Sequence, residues 1–258
     1  VEEEAMDLGL ADVPCLVTGA SAGIGRAVAI GLAAERAAVT VAGRDAARLA
    51  AVGAAITAAG GRFAGAIVAD LAHAEGVALV AAEAQRLLGR VEVLVNNAGG
   101  SRPLSPEAGD EVWDEALALN FTAARRLTER LLPAMRAARR GRIVNITGAM
   151  LQKRVNAATP AKVALQSWSH ALAFELAADG ITVNCVAPGR INSDQIRNRL
   201  YPSEQARAAE IAANLPVGRF GEPEELAALV VFLASKQAGY VSGAAIPVDG
   251  AMYRLDLK

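Results

Sequence analysis

The stretch Thr18-Gly19-Ala20-Ser21-Ala22-Gly23-Ile24-Gly25-Arg26 follows the apolar run Cys15-Leu16-Val17 and leads into an alanine-rich segment, Gly25 to Arg36, with helical patterning. Glycines spaced this way let a chain turn tightly and bring its backbone close to a pyrophosphate. A helix that starts at such a turn adds free N–H groups and the positive end of its dipole. Glycine also ends strands for structural reasons alone, so the turn takes its meaning from its surroundings. Outward from it, strand and helix signals alternate to about Val248. Ala38–Ala42, Phe63–Ala69, Val91–Val95, Arg142–Ile146, Ile181–Val186 and Ala245–Val248 read as strands. Ala46–Ala59, Gly76–Leu88, Asp110–Ala138 (bent near Pro133), Pro160–Ala178 and Pro223–Ala234 read as helices. This order predicts parallel βαβ units.

Strands rich in Val, Ile and Ala on both faces suit a sheet covered on both sides. The expected fold class is therefore α/β, a single doubly wound Rossmann-type domain with a mainly parallel sheet. Its expected span is 12–258, preceded by an N-terminal extension over 1–11. The charged stretch 190–220, with Pro202 and Pro216, reads as an irregular, mobile flap. At 258 residues and 53 % hydrophobic, the chain can bury a substantial core. A formal net charge of -1 offers no basic field for nucleic acid. No apolar run approaches the roughly 20 residues of a membrane span. Residues 1–10 carry four acids and no basic residue, unlike a secretory signal. A cytoplasmic protein is the expectation. Cys15 and Cys185 read as buried free thiols in strands, and His73 and His170 lack further ligands at metal spacing.

Several motifs in order carry a resemblance. The turn is spaced T-G-x-x-x-G-x-G. Asn96-Asn97-Ala98-Gly99 follows the fourth strand, and Asn120 lies in Ala118-Leu119-Asn120-Phe121. Lys162 lies in Thr159-Pro160-Ala161-Lys162, and Pro188-Gly189-Arg190-Ile191-Asn192-Ser193 follows the sixth strand. Tyr240-Val241-Ser242-Gly243 and Val248-Asp249-Gly250 close the series. From about Asp12 to Tyr253 the chain resembles the short-chain dehydrogenase/reductase family, and within it the bacterial 3-oxoacyl-carrier-protein reductases. The resemblance implies nicotinamide-dependent oxidoreduction of a carbonyl or alcohol and a homotetramer or homodimer, its long helices packed across a two-fold axis. It implies that Gly19, Ser21, Gly23, Ile24 and Gly25 cradle the cofactor phosphates. Asp70 would contact the adenine, although a helix-capping role is open as well. Asn97 and Gly99 would lie along the cofactor. Pro188 and Gly189 would also bind the cofactor, Ile191 and Ser193 would belong to the stretch that holds the nicotinamide carboxamide, and Lys162 would hold its ribose.

The second strand ends Val41-Ala42-Gly43-Arg44-Asp45. A carboxylate at the strand end would bind the ribose hydroxyls of NAD. None stands there, and the Arg44 guanidinium, with Ser21 adding a hydroxyl, suits the 2′-phosphate of NADP(H). Arg44 as a solvated arginine, and Asp45 as its partner or as a ribose ligand, remain open.

The catalytic set is where the chain departs from the resemblance. The family's tyrosine proton donor stands four residues before the lysine, and that position holds Ala158. The serine that holds the substrate oxygen is matched by Gly148, beside Thr147, and the loop between is three residues short. Asn120 and Lys162 are kept as the catalytic residues. Thr159, Lys153, Tyr201, or Lys162 acting through water are the available replacements. The Thr159-Pro160 pair reads as a helix N-cap that would occupy the threonine hydroxyl. Two functions therefore stay open: an atypical NADP(H)-dependent oxidoreductase, with an oxoacyl thioester among its substrates, or a catalytically impaired dinucleotide-binding sensor or structural subunit. Arg102, Lys153, Arg154, Arg190, Arg197 and Arg199 fall in loops near the strand carboxyl ends and largely lack acidic sequence neighbours. An anionic small-molecule substrate would suit them, as would a merely hydrated surface.

Overall fold

The computed structural model describes residues 6–148, 154–194 and 196–252. The acidic segment 1–5, Lys153 and the side chain of Arg199 lie outside the described residues. The first strands and helices alternate as β1 (Pro14–Thr18), α1 (Gly23–Ala34), β2 (Ala38–Gly43), α2 (Ala46–Ala58), β3 (Arg62–Val68), α3 (Ala74–Leu88) and β4 (Val93–Asn96). Then come α4 (Asp110–Leu117), a π-helical segment (Ala118–Thr122), α5 (Ala123–Ala138), β5 (Gly141–Ile146), α6 (Ala158–Leu176) and β6 (Ile181–Pro188). A second π segment (Ile196–Leu200), α7 (Glu204–Asn214), α8 (Pro223–Ala234) and β7 (Ala245–Val248) complete the chain. All six strand pairings are parallel, in the order β3-β2-β1-β4-β5-β6-β7.

Side-chain alternation along each strand builds two apolar layers. Cys15, Val17, Val39, Val41, Val93, Val95, Val144 and Ile146 pack toward α1, α2 and α8. Leu16, Leu94, Ile143 and Val183 point to the other face, toward α3, α5 and α6. The doubly wound expectation holds in full. Both cysteines are buried and free. The segment before β1 packs on the domain: Leu10 is buried in the core and Leu8 O accepts from Lys236 N at 3.2 Å. No helix among the described residues is long and apolar enough to cross a membrane.

Three local expectations need correction. The long helix over 110–138 is not one α-helix, because the π segment 118–122 divides it, and Pro133 sits inside α5 without ending it. The stretch 190–220 is not mainly irregular. Ser203 caps α7, its hydroxyl accepting from Ala206 N at 3.1 Å, and Ile196, Leu215 and Phe220 form a small core of their own. Helix α6 begins at Ala158, so Thr159 lies within its first turn and is not its cap.

Candidate active site

The strand order reverses between β1 and β4, and ligands of open α/β sheets bind at the strand carboxyl ends beside such a switch point. A cleft of about 1800 Å³ lies there, from Arg44 at one end past Gly19 and Lys162 to Tyr201. Gly19 has φ +62°, and a methyl group on it would stand 2.8 Å from Ala98 Cα. A methyl on Gly25 would stand 2.4 Å from both Gly19 O and Asn97 Nδ2. The turn is therefore compatible only with glycine at these points. Asn97 ties it to β4: its Nδ2 donates to Thr18 O and Gly19 O, each at 3.0 Å, and its N–H donates to Thr18 Oγ1 at 3.0 Å. Helix α1 starts at Gly23 with Ala22 as a cap that offers no side-chain acceptor, and its first turn holds no acid. Its leading N–H groups are thus left for an anion.

Gly19, Gly23, Ile24, Arg44, Asn97, Gly99, Lys162, Pro188, Gly189, Ile191 and Ser193 line the cleft together. Ser21, Gly25, Asp70 and Asn120 do not line it. Ser21 stands behind the end of β2, its Oγ 3.7 Å from where a methyl on Gly43 would lie. Asp70 Oδ1 accepts from Ala72 N at 2.9 Å, closing a turn ahead of α3; the N-cap of that helix is His73, so Asp70 is not its cap. Asp70 Oδ2 also lies 3.9 Å from Arg44 Nη1, a long pair between exposed groups and weak for that reason. Asp45 caps α2, accepting from Arg48 N at 3.0 Å, so its carboxylate is committed to the helix.

Sequence reasoning passed over Arg48. It lines the cleft from the first turn of α2, with Nε 3.4 Å from Asp45 Oδ2 and Nη1 3.0 Å from Asp194 Oδ2. An arginine three residues after the Asp45 cap was the available signal. Asn156 was also missed. It is 9 % exposed; its Oδ1 accepts from Arg102 N and Ala158 N, both at 3.0 Å, and its Nδ2 donates to Ser101 Oγ at 2.7 Å. An asparagine just ahead of a helix start, able to accept from nearby backbone N–H groups, was the available signal.

Lys162 sits at the centre. Its Nζ donates to Ile146 O at 2.9 Å. A methyl on Gly99 would lie 3.3 Å from that Nζ and 2.7 Å from Asn120 Oδ1, so the ammonium and the Asn120 amide flank the same point. Burial pushes the Lys162 pKa down to about 8. The lysine stem runs past Gly148, where a methyl would stand 3.3 Å from Cδ. Asn120, buried within the π segment, accepts from Gly100 N at 3.0 Å and donates to Ala116 O at 2.9 Å. Ala158 and Thr159 line the wall beside Lys162.

The far wall holds Tyr201. Burial raises its pKa above the usual phenol value, with Arg190 opposing and Glu210 adding to the rise. The Arg190 guanidinium lies 5.6 Å over the Tyr201 ring and pairs with Glu210 at 2.8 Å. The phenol is thus engaged in a cluster of its own. This also corrects the expectation of unneutralised loop arginines. Arg190 pairs with Glu210 and Arg102 with Glu115 at 2.7 Å, carboxylates distant in sequence that the fold brings near. Arg197 donates to Asn192 O at 3.4 Å, and Arg154 makes no ion pair among the described residues.

The chain is similar to known proteins over nearly its whole length. The family profile described as enoyl-(acyl carrier protein) reductase matches residues 19–252. The chain is 39 % identical over 242 residues to the 3-oxoacyl-(acyl-carrier-protein) reductase FabG of Pseudomonas aeruginosa, spanning 92 % of this chain and 96 % of that protein. It is 40 % identical over 242 residues to the short-chain reductase protein NovJ of Streptomyces niveus, spanning 91 % and 92 %. The structure of L-sorbose reductase from Gluconobacter frateurii, complexed with NADPH and L-sorbose, matches with a TM-score of 0.91 at 33 % identity, covering 96 % of this chain and 99 % of that one.

Proposed function

The chain belongs to the short-chain dehydrogenase/reductase family, and from that premise we propose that it is an NADP(H)-dependent oxidoreductase interconverting a carbonyl and an alcohol, with Lys162 as its proton source. The observation that carries this reading is the shared cleft: the uncapped α1 terminus and the Lys162 ammonium open onto one space. The donor set fits a dinucleotide. Free N–H groups at α1 suit the pyrophosphate, Arg44 and Arg48 suit a 2′-phosphate, and Ile191 and Ser193, which line the same cleft, suit the carboxamide. Bound there, the nicotinamide supplies the hydride. Lys162 then presents positive charge near the carbonyl oxygen, where charge develops, and is the source of the proton that this oxygen takes up.

The relatives favour a 3-oxoacyl thioester as substrate, FabG being a 3-oxoacyl-(acyl-carrier-protein) reductase. Ala158 and Gly148, at the positions that the family resemblance gives to tyrosine and serine, leave space there. The test is NADPH oxidation with 3-oxoacyl thioesters and simple ketones. Tight NADPH binding with no turnover on any of them would favour the sensor reading instead.

Cofactor preference follows from the two arginines. NADPH is expected to bind more tightly than NADH. Because charged hydrogen bonds contribute about 2 kcal/mol, Arg44→Ala should cost NADPH about 30-fold and leave NADH nearly unchanged. Calorimetry with both cofactors measures this, and equal affinities in the parent protein would overturn the assignment.

The reading includes a homotetramer or homodimer built on α5 and α6. Phe174, 84 % exposed on α6, supports it, since a large aromatic so exposed suits a covered face. Phe174→Asp should lower the mass seen by light scattering from oligomer to a smaller species. An unchanged mass would place the interface elsewhere.

A further inference from the structure

The hydroxyl of Thr159 faces the cleft wall and is used by none of its described neighbours. Inside the first turn of a helix, a threonine hydroxyl often satisfies an orphan backbone donor. Here those donors are already taken. Asn156 Oδ1 accepts from Ala158 N at 3.0 Å, and Asn156 O accepts from Thr159 N at 3.1 Å. Pro160 has no N–H to satisfy. The other habitual partner, the carbonyl four residues back on Val155, receives Leu104 N at 3.3 Å and no bond from Thr159. Among the described residues the Thr159 hydroxyl makes no hydrogen bond, and the partly exposed side chain lines the cleft.

Of the other hydroxyls on the cleft, Thr147 Oγ1 donates to Val186 O at 3.3 Å, while Ser101 Oγ accepts from Asn156 Nδ2 at 2.7 Å and Ser193 Oγ from Ile196 N at 3.4 Å, so each of these three is oriented by a neighbour and Thr159 is not. Tyr201 is held by Glu210 and Arg190. Thr159 and Lys162 stand three apart on one helix, which places their Cβ atoms about 5–6 Å from each other on one face. Both side chains line the same cleft.

We propose that Thr159 holds the substrate carbonyl oxygen and relays to it a proton from Lys162. The inference rests on the oxidoreductase reading above and deepens it. As the carbonyl carbon gains a hydride from the reduced nicotinamide, the C=O π bond becomes a lone pair on oxygen. That oxygen takes the Thr159 hydroxyl proton while the Thr159 oxygen takes one from the Lys162 ammonium. The Lys162 amine regains its proton from water. The hydroxyl gives and receives together, so its own high pKa is never an obstacle. The side chain is short, so the oxygen it holds lies deeper than a tyrosine in the Ala158 place would allow.

The test uses the full-length protein with Thr159→Val, which keeps shape and removes the hydroxyl, and Thr159→Ser, which restores it. Ethyl acetoacetate is titrated calorimetrically into the NADP⁺ complex, so binding is read without turnover. Thr159→Val should weaken the ketone about tenfold while NADP⁺ affinity stays unchanged. It should also lower the NADPH-oxidation kcat about 10²-fold and flatten its fall above about pH 8. Thr159→Ser should recover both. A Thr159→Val protein that binds the ketone like the parent, or a Ser variant as poor as Val, overturns the inference, as does a parent complex that takes up no ethyl acetoacetate. Failure of the parent to oxidise NADPH with any ketone would instead overturn the oxidoreductase reading, with ketone binding still scored by calorimetry.

Discussion

Replacing Lys162 by methionine is expected to lower kcat/KM for carbonyl reduction by about 10³ and to weaken NADPH binding. Methionine keeps a flexible apolar stem of similar length against Gly148, so the loss reports the ammonium and not the packing. The pH dependence of the parent has a definite sign. Burial holds the Lys162 pKa near about 8, against 10.5 for a free lysine. Reduction needs the ammonium, so its rate should hold below that value and decline as pH rises through it. Alcohol oxidation needs the amine and should rise over the same interval. Initial rates in both directions across that range, for parent and variant, check this. A variant with parental affinity and rate would show that Lys162 is an ordinary helix lysine.

Installing tyrosine at Ala158 is the second large effect. Ala158 opens α6 four residues before Lys162, so both side chains lie on one face. A phenol there starts with a pKa near 10 and is acidified by the neighbouring ammonium. Ala158→Tyr should raise reduction of small ketones by about 10²-fold. It should also make Thr159→Val nearly without cost, because the phenol replaces the relay and the two changes are then non-additive. Adding Gly148→Ser supplies a second hydroxyl. The new Cβ would stand 3.3 Å from Lys162 Cδ, so the lysine stem must give way by a few tenths of an ångström. NADPH oxidation with a panel of small and acyl ketones reads all of these variants. Strong parental activity that Ala158→Tyr abolishes would show that the substrate itself occupies this space.

Much of this was legible from local pattern. The order of strands and helices follows from runs such as Val39–Val41 and Val93–Val95, and the phosphate turn from glycines that sterics demand at 19 and 25. What stayed hidden depends on distance in the fold. The carboxylates that neutralise Arg102 and Arg190 lie 13 and 20 residues along the chain, where no window of sequence neighbours shows them. Threonine before proline is a strong local signal for an N-cap, yet α6 starts one residue earlier, with Ala157 at the cap position. Asn156, just before it, accepts from both Ala158 N and Arg102 N, and so joins two loops at once.

The π segment at 118–122 explains why residues 110–138 read as one helix and do not fold as one. A single turn of this kind is what one inserted residue leaves in an otherwise regular α-helix. Deleting Leu119 would restore the 3.6-residue repeat from Asp110 to Ala138. It would also rotate everything on one side of the deletion by about 100° relative to the other. The Asn120 amide could then no longer face both Gly100 and Ala116. The more regular helix would be the poorer protein: the one surplus residue acts as a spacer that lets α4 and α5 each keep its own packing while the asparagine between them faces the lysine.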